Sequence, residues 1–255
     1  MTLLTIAKTV YIKYYFLEQF YENYCEVKNI NYSENPDSIG ICIALNKGAI
    51  IMHLDSVYAV VSIANQKGIR SLDRVKRRKP GKCYGTLVSN FGDFIMTSSV
   101  NNKTKEAIMK LGSERALENC FLRLPFKSIQ NSELFMNGTH QGLVVVEPVR
   151  SFCKEIEQRI TENKDNLIMD RLVCSSANIS GDSKGSIVER EAALKFGKAM
   201  GMELFVEFNF PKTNVKKGSF PILSFGDMTY RIERKGPGVD AIDKQFLESG
   251  FLKTF

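Results

Sequence analysis

The feature that most constrains this chain is a series of short apolar runs that leave no polar face. "AIIMH" (49–53), "SVYAVVSIA" (56–64), "QGLVVVE" (141–147), "LIMDRLVCS" (167–175) and "ELFVEF" (203–208) are rich in Val, Ile, Leu and Phe. Several carry apolar residues at consecutive positions, so a strand there is buried on both faces. "YGTLVS" (84–89), "FLRLPF" (121–126), "FPILSF" (220–225) and "TYRIER" (229–234) read as further strands. Segments of helical spacing lie between the runs. "SIGICIALNKG" (38–48) predicts a helix with Ile39, Cys42 and Ile43 on one face and Gly48 as its stop. "RSLDRVKRRKPGK" (70–82) predicts a basic helix ending before Pro80 and Gly81. Residues 102–120, broken near Gly112, and the amphipathic 151–163 predict two more. Ser186 and Glu189 have the spacing of a capping box for a helix in 187–200. Doubly covered strands interleaved with helices predict an α/β fold, a twisted mixed β-sheet with flanking helices.

The chain has 255 residues, enough for one large domain or one domain with an appendage. Residues 1–30 read as an aromatic-rich N-terminal extension, either a core strand and helix or an oligomer contact. Residues 31–238 read as the main domain and 239–255 as a C-terminal tail with a small helix. The apolar opening is interrupted by Lys8 and Lys13, which argues against a signal peptide, and no run reaches the ~18 apolar residues of a membrane span. A cytoplasmic protein with no membrane partner is expected. The six cysteines include no C-x-x-C pair and several sit in apolar runs, so they read as buried thiols in a reducing compartment. With two histidines, a mixed Cys/His metal site is not expected. The net charge of +7 suits an anionic partner such as a nucleotide or RNA, and equally a basic surface with no partner.

No Walker P-loop, G-x-G-x-x-G fingerprint, G-x-S-x-G elbow or kinase motif set occurs. Three stretches carry candidate chemistry instead. "VKRRKPGK" (75–82) gathers cations that suit a polyphosphate or a solvated helix end. "RLVCSSANISG" (171–181) ends an apolar strand in small hydroxyl and amide side chains. That suits phosphate or ribose at the carboxyl end of a strand, and also an ordinary polar turn. "HLDSVYAV" (53–60) delivers Asp55, Ser56 and Tyr58, with Ser56 and Tyr58 on one face by alternation. The same pattern suits a strand end with a capping Asp.

With "IERKG" (232–236), these stretches follow the order of the YrdC/TsaC family, the threonylcarbamoyl-AMP synthases. The sequence resembles that family over roughly 31–238, most specifically at "SSANISG". The resemblance implies a YrdC-like fold with a concave basic cavity that holds ATP, accompanied by Mg²⁺. It implies Lys76 and Arg78 as catalytic and nucleotide-binding cations. Lys82, Ser175, Ser176, Asn178 and Arg234 would be further nucleotide contacts, and Asp55, Ser56 and Tyr58 the substrate pocket. The implied reaction joins L-threonine, bicarbonate and ATP, releases pyrophosphate, and serves modification of adenosine 37 in tRNA. Departures from the family pattern are concentrated at the substrate end. His53–Leu54 replaces a Pro-Thr pair, Ala59 replaces Gly, the chain has no Trp, and "VVVEP" (144–148) lacks an arginine. They leave two other readings open. One is a YrdC-fold protein that binds nucleotide, tRNA or double-stranded RNA without synthesis. The other is a carbamoyltransferase using a carbamoyl-adenylate.

Overall fold

Eight consecutive residues, Val57–Ala64, are buried within one strand, and the rest of the molecule is arranged to cover them. The computed structural model describes residues 27–78, 82–113, 115–127, 133–162, 167–182, 185–211 and 217–255. Within them, twelve strands form one mixed sheet. In chain order these are β1 (Lys28–Asn31), β2 (Ile50–Leu54), β3 (Val57–Asn65), β4 (Gly85–Val88), β5 (Cys120–Pro125), β6 (Phe135–Met136), β7 (Thr139–Val144), β8 (Leu167–Ser176), β9 (Leu204–Glu207), β10 (Ile222–Gly226), β11 (Thr229–Arg234) and β12 (Leu252–Lys253). They lie in the order β1-β9-β2-β3-β8-β4-β7-β5-β10-β11-β12, with β6 paired to β7.

Seven helices accompany the described strands: α1 (Ser38–Lys47), α2 (Gln66–Lys76), α3 (Phe91–Met96), α4 (Asn102–Ser113), α5 (Val149–Thr161), α6 (Arg190–Ala199) and α7 (Val239–Glu248). Strand alternation distributes the core. Met52, Val61 and Leu172 meet Ile41 and Leu45 of α1 and Phe152 and Ile156 of α5. Their neighbours Ile51, Val60 and Val173 point the other way, to Ile69, Leu72 and Val75 of α2 and Ala193 of α6. A third cluster packs α3, α4 and α7 onto Leu122, Val144, Leu223 and Phe225. The α/β class expected from the doubly apolar runs is the observed one.

Ile39, Cys42 and Ile43 share a face of α1 as the spacing predicts, and it is the outer one: Ile39 and Ile43 are 64% and 55% exposed, while Ser38, Ile41 and Leu45 face the core. The helix is apolar on both sides, so spacing alone did not identify the inner one. The Ser186/Glu189 capping box does not form: α6 starts at Arg190, and Glu189 makes no side-chain cap bond. α3 escaped the sequence reading because it is a single short segment, capped by the Asn90 side chain on the Asp93 N–H (3.2 Å).

β1 extends the sheet through parallel pairing with β9. α7 and β12 return the chain to β11, and Phe246 and Phe251 are buried there around Tyr230. Residues 1–26, which hold most of the aromatic extension, lie outside the described residues. Cys120, Cys153 and Cys174 are buried free thiols, and Cys42 and Cys83 are half-buried ones. No described helix is long and apolar enough to cross a membrane.

Candidate functional site

The carboxyl ends of α2 and β8 meet above the sheet. Lys76 is the last residue of α2, and the chain then turns through Arg77 in the left-handed region (φ 46°). The Arg78 N–H closes that turn on the Asp73 carbonyl (3.1 Å). The turn brings Arg78 over the face of Tyr84, 4.1 Å from its ring centre. The Arg78 guanidinium donates to the carbonyls of Lys82 (3.4 Å) and Cys83, and Tyr84 is itself fixed by its hydroxyl on Asp73 (2.7 Å).

β8 supplies the opposite wall. Lys76 is only 2% exposed, and its ammonium donates to the Ser176 carbonyl and to Asn178 Oδ1 (2.6 Å). Ser176 Oγ donates to the same Asn178 oxygen (2.8 Å). The Ala177 N–H bonds the Tyr58 carbonyl and the Ser180 N–H bonds the Lys76 carbonyl, both at 2.8 Å. Lysine, serine and asparagine are thereby held as one unit. Burial, followed by repulsion from Arg78 and Lys82, pushes Lys76 down to about 7. A counter-anion beside it would offset that repulsion.

Between these walls lies a cavity of about 420 Å³. Its floor is the sheet itself. Ala59 pairs with Ser176, Gly85 with Cys174, Arg123 with Gln141, and Phe121 with Ile222, which also faces Arg234. Paired residues share a face, so one concave surface collects them all. Gly85 is needed there: a Cβ would come within 2.5 Å of the Phe121 ring. On the rim, Gly181 takes φ 86°, which lets the chain leave β8 in a tight turn.

Five cations line the cavity: Lys76, Arg78, Lys82, Arg123 and Arg234. Arg123 is paired with Glu233 and donates to Gln141 Oε1 (2.7 Å). Arg234 donates twice to the Phe220 carbonyl (3.0 and 2.6 Å), and burial and then Arg123 lower its pKa. No carboxylate is among the described lining residues. Glu233 offsets Arg123, and the remaining four cations leave a concave field that is net positive and suits an anion.

All seven nucleotide residues expected from the sequence, Lys76, Arg78, Lys82, Ser175, Ser176, Asn178 and Arg234, line this cavity. Asp55, Ser56 and Tyr58 do not. Leu54 pairs directly with Val57, so Asp55 and Ser56 form a two-residue hairpin turn, with Asp55 at φ 56°. Asp55 accepts from Asn119 Nδ2 (3.0 Å), and Ser56 Oγ donates to the Gly218 carbonyl (3.2 Å). Tyr58 lies on the far face of β3, stacked between His53 (4.7 Å) and Phe205 (5.4 Å). Leu54, Val57 and Ala59 line the cavity in their place. Turning at 55–56 moves Ser56 out of the strand, so its expected face-sharing with Tyr58 does not arise.

Arg123, Gln141, Ser186 and Ser219 are cavity residues that the sequence reading missed. Alternation in "FLRLP" does place Phe121 and Arg123 on one face. Nothing local shows that Ser186 Oγ sits 2.5 Å from Ser219 Oγ, since 33 positions separate them. No group of three or more His, Cys, Asp or Glu suited to a metal occurs among the described residues.

Neither a protein-family model nor a curated protein matches the sequence. Solved structures do match. A hypothetical protein, smu.1377c from Streptococcus mutans UA159, aligns with TM-score 0.62 at 14% identity, over 89% of this chain and 97% of that one. E. coli YciO aligns with TM-score 0.59 at 15% identity, over 83% and 96%. P. abyssi Sua5, solved in complex with L-threonine, aligns with TM-score 0.62 at 15% identity; 89% of this chain matches 62% of that one. The fold is therefore YrdC-like.

Proposed function

We propose that the cavity binds ATP and that the protein is a nucleotidyltransferase of the threonylcarbamoyl-AMP synthase type, acting on L-threonine, bicarbonate and ATP to supply tRNA modification at adenosine 37. The observation that carries this reading is the set of five cations with no lining carboxylate, set against the Lys76–Ser176–Asn178 unit at the end of β8. In α/β sheets the carboxyl ends of strands are where nucleotides bind. The L-threonine complex of P. abyssi Sua5, whose fold this chain shares, supports threonine as the acceptor.

The chemistry needs no protein nucleophile. The threonine amine and bicarbonate condense to the N-carboxy carbamate, the N–C bond forming as water leaves, and a carbamate oxygen then attacks the α-phosphorus of ATP. The new P–O bond forms as the bond to the β-phosphate oxygen breaks, and pyrophosphate leaves. Lys76 and Arg78 neutralise charge on the transferring phosphates, and Lys82 and Arg234 add to the field. Ser175, Ser176 and Asn178 hold phosphate or ribose oxygens through short neutral side chains. The lining residues give Mg²⁺ no anionic ligand, so the cation belongs with the phosphates of the Mg–ATP substrate.

A second reading has one observation in its favour. Leu54, Val57 and Ala59 make one part of the cavity wall apolar, which suits an acceptor other than threonine, including one used in carbamoyl transfer from an adenylate. Pyrophosphate release from Mg–ATP and bicarbonate, with and without L-threonine, separates the two. Threonine-dependent release with an adenylate detected by mass supports the synthase. ATP binding with no threonine dependence rejects it in favour of the second reading.

A further inference from the structure

We propose that the outer face of α2, continued by α6, is a docking surface for the phosphate backbone of a folded RNA. On α2, Lys67, Arg70 and Arg74 are exposed and recur at three- and four-residue intervals, so they share one side of the helix. Ile69, Leu72 and Val75 hold the other side in the core. Arg77, exposed at the cap, continues the series to the point where Lys76 and Arg78 enter the nucleotide cavity. From Lys67 to Arg77 the ridge covers about 15 Å at helical rise. α2 packs on β3 and β8, and α6 packs on β2 and β9, which places the two helices side by side over one face of the sheet. α6 adds exposed Lys195 and Lys198.

None of these six cations forms an ion pair among the described residues. Lys67 donates to the neutral Asn46 carbonyl (2.5 Å). The carboxylates nearby are engaged elsewhere: Asp73 by the Tyr84 hydroxyl, Glu203 by Lys47, and Glu191 and Glu207 by Arg190. The charge of the ridge is therefore open to a partner. The chemistry selects that partner. No large apolar side chain is exposed on α2 or α6. A protein interface is anchored by aromatic or apolar side chains at its centre, and a helix lying on a membrane buries an apolar face. Cations alone suit a polyanion, whose phosphates they meet by displacing counterions. Within that class the choice of RNA rests on the proposed reaction, whose adenylate serves RNA modification, since the ridge leads to the cavity that would make it. The basic face itself does not depend on that reading.

The experiment is fluorescence anisotropy of a labelled, unmodified tRNA transcript titrated with the full chain at several salt concentrations, beside a DNA duplex of equal phosphate number. The parent is compared with two triple variants. One carries Lys67→Gln, Arg70→Gln and Arg74→Gln on the ridge. The other carries Lys103→Gln, Lys110→Gln and Lys154→Gln, exposed positions on α4 and α5. Both lose three charges, and glutamine is a good helix former, so the helices are kept. The proposal expects tRNA affinity to fall about tenfold or more in the ridge variant, with a log–log salt slope shallower by about two to three. The other variant stays within about threefold of the parent, and the parent binds tRNA more tightly than the DNA duplex. Equal losses in the two variants overturn the proposal, because net charge then suffices. So does a parent that binds no tRNA, or one that binds the DNA as tightly. Should the ridge variant unfold, Arg74→Gln alone replaces it: a slope shallower by about one is expected, and an unchanged slope overturns the proposal. Mg–ATP titration reports on the cavity separately. A parent that binds no ATP rejects the synthase reading, while the anisotropy still decides the docking face.

Discussion

Two ends of strands in this molecule look alike in sequence and behave differently. β8 closes on Ser175 and Ser176, with Asn178 just beyond; β2 is followed by Asp55 and Ser56 and leads to Tyr58. At β8 the chain leaves the sheet, and its small polar groups join a buried lysine from another element to form a cavity wall. At β2 the chain turns back at once. Asp55 and Ser56 bond to Asn119 and Gly218, and Tyr58 stacks in the core. A polar cluster builds a site when the backbone departs and a charge from elsewhere meets it. Inside a tight hairpin the same residue types serve the fold.

Under the proposed function the hairpin serves the fold and the β8 end binds the ligand, and variants can break that contrast. The largest effect is expected at Tyr58, which is 4% exposed. Tyr58→Ala costs about 3–5 kcal/mol of stability, the range for deleting a buried aromatic ring, measured by urea unfolding. If that variant folds normally and loses only nucleotide binding, the assignment of the hairpin fails. Next is Lys76→Ala. If Lys76 binds phosphate as proposed, truncating this buried charge lowers ATP affinity about a hundredfold or more by calorimetry, with the fold retained in circular dichroism. Asn178→Ala follows in the same direction and abolishes pyrophosphate release.

pH sharpens the same comparison. In the unliganded protein Lys76 is held down at about 7 by burial, Arg78 and Lys82. Above that pH its free form is increasingly neutral, so ATP binding must take up a proton. Affinity then falls with rising pH by at most about tenfold per unit between pH 7 and 9. The folded state also binds fewer protons than the unfolded one between about 7 and the ordinary lysine value. The cost of burying Lys76 is fully present below that window and is relieved as pH rises through it. Lys76→Met removes both trends, and a wild-type affinity flat across the window contradicts this role for Lys76. The smallest effects belong to Asp55→Asn and Ser56→Ala: about 1 kcal/mol of stability each, and ATP affinity within about threefold of the parent.

Much of the fold was legible because burial on both faces leaves a plain signature. The run that became β3 is buried over eight consecutive positions, and β9 carries three buried apolar residues in a row. Lys76 with Arg78, and Ser176 with Asn178, were singled out by the family resemblance; the spacing alone suited a solvated helix end and a polar turn as well, and the fold brings all four to one cavity. Other parts depended on contacts across the chain. α1 has two apolar faces, and only its packing on α5 and the sheet decides which is inner. Ser186 has the spacing of a cap yet faces Ser219, and Arg123 joins the cavity because β5 lies beside β7 and β10. Asp55 and Ser56 are used up in the turn, and alternation along β3 then puts Val57 and Ala59, with Leu54 of β2, on the cavity face and Tyr58 on the other.

The most direct test of the central claim is calorimetric titration of Mg–ATP into the full chain at pH 7, repeated with Lys76→Ala and with Ser56→Ala. Binding to the parent and to Ser56→Ala, with about a hundredfold loss in Lys76→Ala, is the predicted result. No binding to the parent, or equal binding by all three, contradicts the account.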